Sequence, residues 1–363
     1  MTEHPLLAAA RRAVGYERGG KFFQAESLYR QLRKAEPPFP MGRYLNGCYQ
    51  LLKGNYQEGW EGFQWRFKDE FYLKKGTVHF SQPVWEGDVL PDKTLFIHVD
   101  QGLGDAIMCL RYFPLVADRV GKVIFAGHKR LSRFYQSVDP RITVMEVGEV
   151  VPEFDIHIDL FSLAVIFDTR PGNIPLPPYI QAEESLIEKW RGTLNSGLVN
   201  VGLSWRGSPA NARDQEKSIP LDKLTPLIMI EGVQCYSLQV EDGTEEIEAL
   251  PETASLIDLQ QELSPDRNGF VETAALMTCL DVTISIDTSR AHLAGALGVE
   301  LWVPCSYVPD WRWMILNDVT AKTYESAPWY PEAKTFRQQV RYDWSGPVSE
   351  MKEKLEQLVE AKS

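Results

Sequence analysis

Residues 281–298 read DVTISIDTSRAHLAGALG: a β-branched apolar run, a polar Asp287-Thr288-Ser289 turn, then a helix rich in small residues that closes on Gly298. Strand, polar turn and helix in that order form the repeating unit of a parallel α/β sheet. The unit sets unpaired backbone N–H groups and the positive end of a helix at the carboxyl edge of the sheet, where an anion is favoured. Thr288 and His292 stand four apart and share one helical face, with Gly295 beside them. The stretch therefore predicts a phosphate site. The same residues would also serve as an ordinary N-cap and a structural histidine.

A second turn of this kind lies in KTLFIHVDQGLGDAIMCLRYFPLV, residues 93–116, where a strand at 94–99 meets Gly102-Leu103-Gly104-Asp105 before an amphipathic helix. Glycine lets backbone approach a ligand closely. The third position of a dinucleotide fingerprint holds Ile107, and no Gly-Lys-Ser/Thr follows, so neither common phosphate motif applies. Asp105 is an N-cap candidate by position. At the mouth of a glycine turn, a carboxylate kept ionised by the helix end can also take the proton of an acceptor hydroxyl.

The 363 residues are long enough for two or three hydrophobic cores. Five cysteines (Cys48, Cys109, Cys235, Cys279, Cys305) lack CxxC spacing, which argues against a zinc site or a disulfide framework and suits a reducing compartment. The first twenty residues have too short an apolar run for a signal peptide, and no apolar stretch is long enough to span a bilayer. The expected location is the cytoplasm. A net charge of −12 argues against a nucleic-acid partner.

Residues 6–37 show two helical apolar stripes broken at Gly19-Gly20, with Ala8, Gly15, Tyr16, Phe22, Ala25, Tyr29 and Pro37 at tetratricopeptide-like spacing, and residues 42–67 repeat the pattern around Gly54-Asn55. Fewer than about three repeats make a marginal solenoid, so the helices are expected to dock on the rest of the chain. From residue 93 strands and helices alternate, with strands at 94–99, 122–126, 142–146 and 155–158. Proline-rich 168–181 reads as a linker, and a second alternating series runs from 198 to 306. The expected division is 1–75 helical, 76–180 and 181–345 as two doubly wound Rossmann-like α/β domains, and 346–363 as a closing helix packing on either half.

The second half supplies further polar groups. LSWRGSPANARDQEKSIPL, 203–221, carries Arg206 and Lys217 just after a strand, at the same carboxyl edge as Asp287, where cations would balance a departing diphosphate. Gln239, Glu241 and Asp242 follow the next strand as candidates for ribose or base contacts. Trp311, Trp313 and Trp329 are candidates for stacking on sugar or base, although such density also suits a core.

QGLGDA with RYFP, GLSWRGSP with KSIPL, and DTSRAHLAGALG followed by LWVPCSYVPDWRW and PWYP together resemble bacterial tetratricopeptide-linked glycosyltransferases related to family 9, the heptosyltransferase family, from about residue 5 to 345. The resemblance implies a GT-B architecture and inverting transfer from a nucleotide-sugar to an acceptor hydroxyl on a protein or glycan. It implies Asp105 as base and Lys217, Thr288, Ser289 and His292 as diphosphate-binding positions, with Asp287 heading the motif. Arg290 departs from the small apolar residue common there and could reach sugar or phosphate. With no Asp-x-Asp pair and no HExxH, no cofactor or metal is expected beyond the nucleotide-sugar co-substrate. The alternative is a non-catalytic sugar-nucleotide-binding scaffold that uses its repeats for partner binding; an epimerase would want further cleft carboxylates.

Overall fold

The computed structural model describes residues 4–69, 80–99, 101–240, 242–263, 269–314, 323–324 and 327–362. It is an α/β protein with two largely parallel sheets preceded by helices. α1 (Pro5–Arg18), α2 (Phe22–Arg33), α3 (Pro40–Leu52) and α4 (Tyr56–Phe63) form two successive helix pairs. The turn between α1 and α2 falls at the two glycines, and Gly20 adopts φ +69°. Ala10, Ala13, Ala25, Tyr29, Leu32 and Tyr49 make a small core of their own. Leu51, Leu52, Tyr56, Trp60 and Phe63 instead belong to the main core, which continues through the first sheet to Ala291–Ala296 and Trp329.

The first sheet has the order β3-β2-β1-β4, all parallel, from β1 (Leu90–His98), β2 (Val120–Gly127), β3 (Ile142–Glu146) and β4 (Ile156–Asp159). The second comprises β5 (Val199–Ser204), β6 (Val233–Ser237), β7 (Leu256–Ile257), β8 (Val282–Ser285), β9 (Leu301–Cys305), β10 (Thr323–Tyr324) and β11 (Lys334–Arg337). Its order is β10-β11-β9-β8-β5-β6-β7, parallel except for β10. β5 and β9 are buried at every residue, as expected of central parallel strands covered on both faces. Register pairs Ser204 with Ser285 and Leu203 with Ser237, so the loops after β5, β6 and β8 emerge side by side.

The Ser345–Lys362 helix packs on the second sheet, where Val348, Met351 and Leu355 join the core formed by Val199, Val201 and Leu227. The 168–181 segment does not hang free between the halves: Tyr179 N–H donates to Ala296 O at 3.1 Å. Arg111, fully buried, donates to Pro175 O at 3.1 Å, Trp329 O at 3.0 Å and the Tyr179 hydroxyl at 3.0 Å. No described helix is long and apolar enough to cross a membrane.

Candidate functional site

The carboxyl edges of both sheets face one cleft of about 700 Å³. The Gln101–Asp105 turn lines it from the first sheet, and the loops at 206–217, 287–290 and 309–312 line it from the second. Residues of α1, α2 and α3, among them Glu17, Arg18 and Tyr29, form a third wall. Asp105, Arg206, Lys217, Gln239, Asp287, Thr288, Ser289 and His292, far apart in sequence, all border this space. Glu241 lies outside the described residues.

Thr288 is the N-cap of the Ser289–Leu297 helix, yet its own side chain makes no capping hydrogen bond. Its hydroxyl lies 3.3 Å from the Ser285 hydroxyl instead. An end that its own N-cap side chain does not cap, turned toward a polar cleft, leaves donors for an external anion. Lys217 closes a four-residue helix, Asp214–Lys217, and its ammonium donates to Asp287 O at 2.6 Å. The Asp287 carboxylate lies 3.9 Å from that ammonium and accepts from Trp313 Nε1 at 2.8 Å. Burial works against its charge, but Lys217, His292, Trp313 and Arg312 outweigh burial and hold the carboxyl well below the usual range. Asp287 is therefore an anion that orients Lys217, and a phosphate would be repelled by it.

His292 is buried, hydrogen-bonded through Nδ1 to the Tyr330 hydroxyl at 2.9 Å and stacked on Trp313 at 5.6 Å. Burial pushes its pKa down to about 4 despite the pull of Asp287. It is thus neutral at pH 7 and can offer a diphosphate a hydrogen bond, not a positive charge. Its ring leans on Gly104, where a Cβ would come within 2.6 Å of Cδ2. The close approach that this glycine permits is between two helices, Leu103–Cys109 and Ser289–Leu297, at the border of the cleft.

An unfolded histidine titrates near pH 6.5, so between pH 6.5 and 4 the unfolded chain binds the extra proton and stability falls with falling pH. The loss attributable to His292 is about 2 kcal/mol between pH 7 and pH 5. Urea unfolding of the parent and of His292→Gln at both pH values should show a shallower pH dependence in the variant; equal slopes would refute this. His98, half-buried beside His157 and also pushed down to about 4, keeps the variant's slope from vanishing.

Asp105 occupies the first turn of its helix, where one oxygen accepts from Gly102 N–H at 3.3 Å. The other accepts from Arg312 at 2.5 Å, and Arg312 also donates to Asp310 at 2.6 Å. Burial opposes the Arg312 charge, but Asp105, Asp310 and Asp287 more than restore it. Arg312 is the residue that sequence reasoning passed over. VPDWRW drew attention for its tryptophans, while the cation between them, two positions after Asp310, was the signal.

Several expected contacts are otherwise engaged. Arg206 is paired with Glu246 at 2.5 Å, across a gap that sequence does not reveal. Gln239 accepts from the N–H groups of Trp205 and Arg206 at 3.2 and 3.1 Å and donates to Arg206 O and Asp242 O at 3.3 and 2.7 Å. With both ends spent in tying strand ends together, it has no group left for a ribose. Trp313 and Trp329 are buried against His292, Trp60 and Trp311 and are core, whereas Trp311, packed on Trp60, still borders the cleft. Arg290 does border the cleft.

No family model matches the chain. The protein is similar to Protein FlbA of Caulobacter vibrioides, 25% identical over 319 residues that make up 82% of this chain and 52% of FlbA. The chain thus spans about half the length of the curated relative it matches. Among solved structures it is similar to a family 9 glycosyl transferase of Veillonella parvula, with TM-score 0.47 and 13% identity over 77% of this chain and 98% of that one. It is also similar to the E. coli ADP-heptose lipopolysaccharide heptosyltransferase II, with TM-score 0.49 and 15% identity over 74% and 99% of the two chains.

The expectation of no cofactor or metal is corrected by a third likeness. E. coli TibC, matched over 60% of this chain and 59% of its own at 12% identity and TM-score 0.41, is described as an iron-containing dodecameric glycosyltransferase. Among the described residues no group of three or more His, Cys, Asp or Glu side chains is placed to hold a metal ion.

Proposed function

We propose that the chain is an inverting glycosyltransferase of GT-B architecture, moving a sugar from a nucleotide-sugar to a hydroxyl of a protein or glycan. The proposed division is a tetratricopeptide-like helical region at 1–75, Rossmann-like acceptor and donor domains at 76–180 and 181–345, and a closing helix at 346–363. One observation carries this reading: Lys217 and the helix end at Thr288, whose own side chain does not cap it, meet the carboxylate of Asp105 across a cleft at the carboxyl edges of two largely parallel sheets. In an in-line displacement, bond breaking at the anomeric carbon places negative charge on the leaving diphosphate. Lys217 and the N–H groups at 288–289 receive that charge, His292 adds a neutral hydrogen bond, and Asp105 takes the acceptor proton late.

The test is calorimetric titration of the full chain with ADP, UDP and GDP. Lys217→Ala, and Ser289→Pro, which deletes an N–H at the first helical position where proline is tolerated, should each weaken binding of the accepted nucleotide by ~1 to 3 kcal/mol, the range for a lost hydrogen bond to a charged group. Parental affinity in both variants would remove the diphosphate site. A second reading, a sugar-nucleotide-binding scaffold without catalysis, is favoured by one observation: both Asp105 oxygens are occupied, one by Arg312 and one by Gly102. Release of free sugar or its transfer by the purified chain discriminates between the two.

A further inference from the structure

The Asp214–Lys217 helix is a single turn, too short to hold its own shape in water. Its geometry is imposed from outside through Glu216, whose side chain is only 12% exposed. Glu216 is approached by three arginines: Arg213 at 3.2 Å, Arg341 at 2.9 Å and Arg18 of α1 at 3.8 Å. At its other end Lys217 reaches Asp287 O, so the turn is strung between α1 and the start of the Ser289–Leu297 helix. The end of α1 is itself fixed. Gly20 at φ +69° lies against Tyr307, whose ring a Cβ would meet at 2.7 Å. One turn earlier, Glu17 borders the cleft beside Arg18 and accepts from the Tyr29 hydroxyl at 2.5 Å.

We propose that α1 is part of the diphosphate site, with Arg18 a positioning residue that holds the Arg213–Lys217 turn, and hence Lys217, over the cleft. This rests on the reading of the cleft as a nucleoside-diphosphate site. Arg18 acts here through Glu216. It removes freedom from a lysine that would otherwise lose that freedom on binding, and preorganisation of this kind raises affinity without adding a contact. The helical region then acts on the donor side of the reaction, in addition to any partner it recruits.

The test is calorimetric titration of the full chain with ADP, UDP and GDP, with thermal unfolding of each variant measured alongside. Arg18→Gln should weaken whichever nucleotide the parent binds by about threefold to fivefold, the scale of a partly exposed ion pair, at an unchanged melting temperature. Arg18→Lys, which keeps the charge, should restore most of the loss. Gly20→Val, a wedge against Tyr307 that also strains the positive φ, displaces the end of α1 that carries Arg18 and should weaken binding at least as much. Glu26→Gln, whose partners Lys53 and Arg30 lie within the helical region, should leave affinity unchanged. Parental affinity in Arg18→Gln and Gly20→Val, with Lys217→Ala still impaired, would overturn the clamp and spare the site. No effect of Lys217→Ala, or no nucleotide bound by the parent, would remove both.

Discussion

Asp105→Ala should lower sugar transfer by ~10²- to 10⁴-fold at saturating nucleotide-sugar while donor affinity stays nearly unchanged, the scale of a lost general base. Asp105 stands at the cleft, in the first turn of its helix. Its pairing with Arg312 offers a competing explanation, in which the carboxylate only holds that guanidinium in place. Asp105→Asn separates the two. Asparagine still accepts a hydrogen bond from Arg312 but cannot take a proton. A base role predicts an Asn variant as slow as the Ala variant, and a positioning role predicts substantial recovery. Parental transfer by Asp105→Ala would sink the assignment altogether.

Trp60→Ala should cost about 3 to 5 kcal/mol of stability, the usual penalty for emptying a buried aromatic site. Trp60 is 4% exposed and packs edge-on against Trp311 at 5.6 Å and Trp329 at 6.4 Å. Its Nε1 donates to Thr169 O at 2.7 Å, so the substitution also strands a buried carbonyl. Trp60 thereby joins α4 to the linker between the halves and to the loop bearing Arg312. Because α4 and the end of α3 share the main core, these helices should unfold with the first sheet in a single transition. Chemical denaturation followed by tryptophan fluorescence and by far-ultraviolet circular dichroism checks both points. A loss below about 1 kcal/mol, or a separate early transition for these helices, would contradict the shared core.

Local pattern carried most of the architecture. The strand expected at 142–146 is β3 residue for residue, and those expected at 94–99, 122–126, 155–158 and 198–205 are displaced by a few residues at most. A buried parallel strand is an unbroken apolar run between turns, a signal contained within a short window. β11 was invisible because Lys334–Arg337 is short and half charged; its strand identity comes from pairing with Trp302–Cys305 of β9. β7, two residues long, likewise exists through its pairing with β6.

The site divides along the same line. Asp287-Thr288-Ser289 and Gly102-Leu103-Gly104-Asp105 were legible because a helix start is written in consecutive residues, and a parallel sheet must bring such starts to one edge. Which groups remain available there was a matter of tertiary structure. Arg206 is taken by Glu246, Gln239 by the backbone around it, and Asp105 by Arg312, 207 positions away. The charge on His292 was decided in the same way, since only packing against Trp313 and Tyr330 strips it of water. Sequence by itself determined the elements, their order and the edge where they converge, because propensity and periodicity act within a few residues. Only the folded chain decided which side chains pair, which lose their charge and that α1 closes the cleft, because desolvation and ion pairing depend on distances between residues that the sequence leaves far apart.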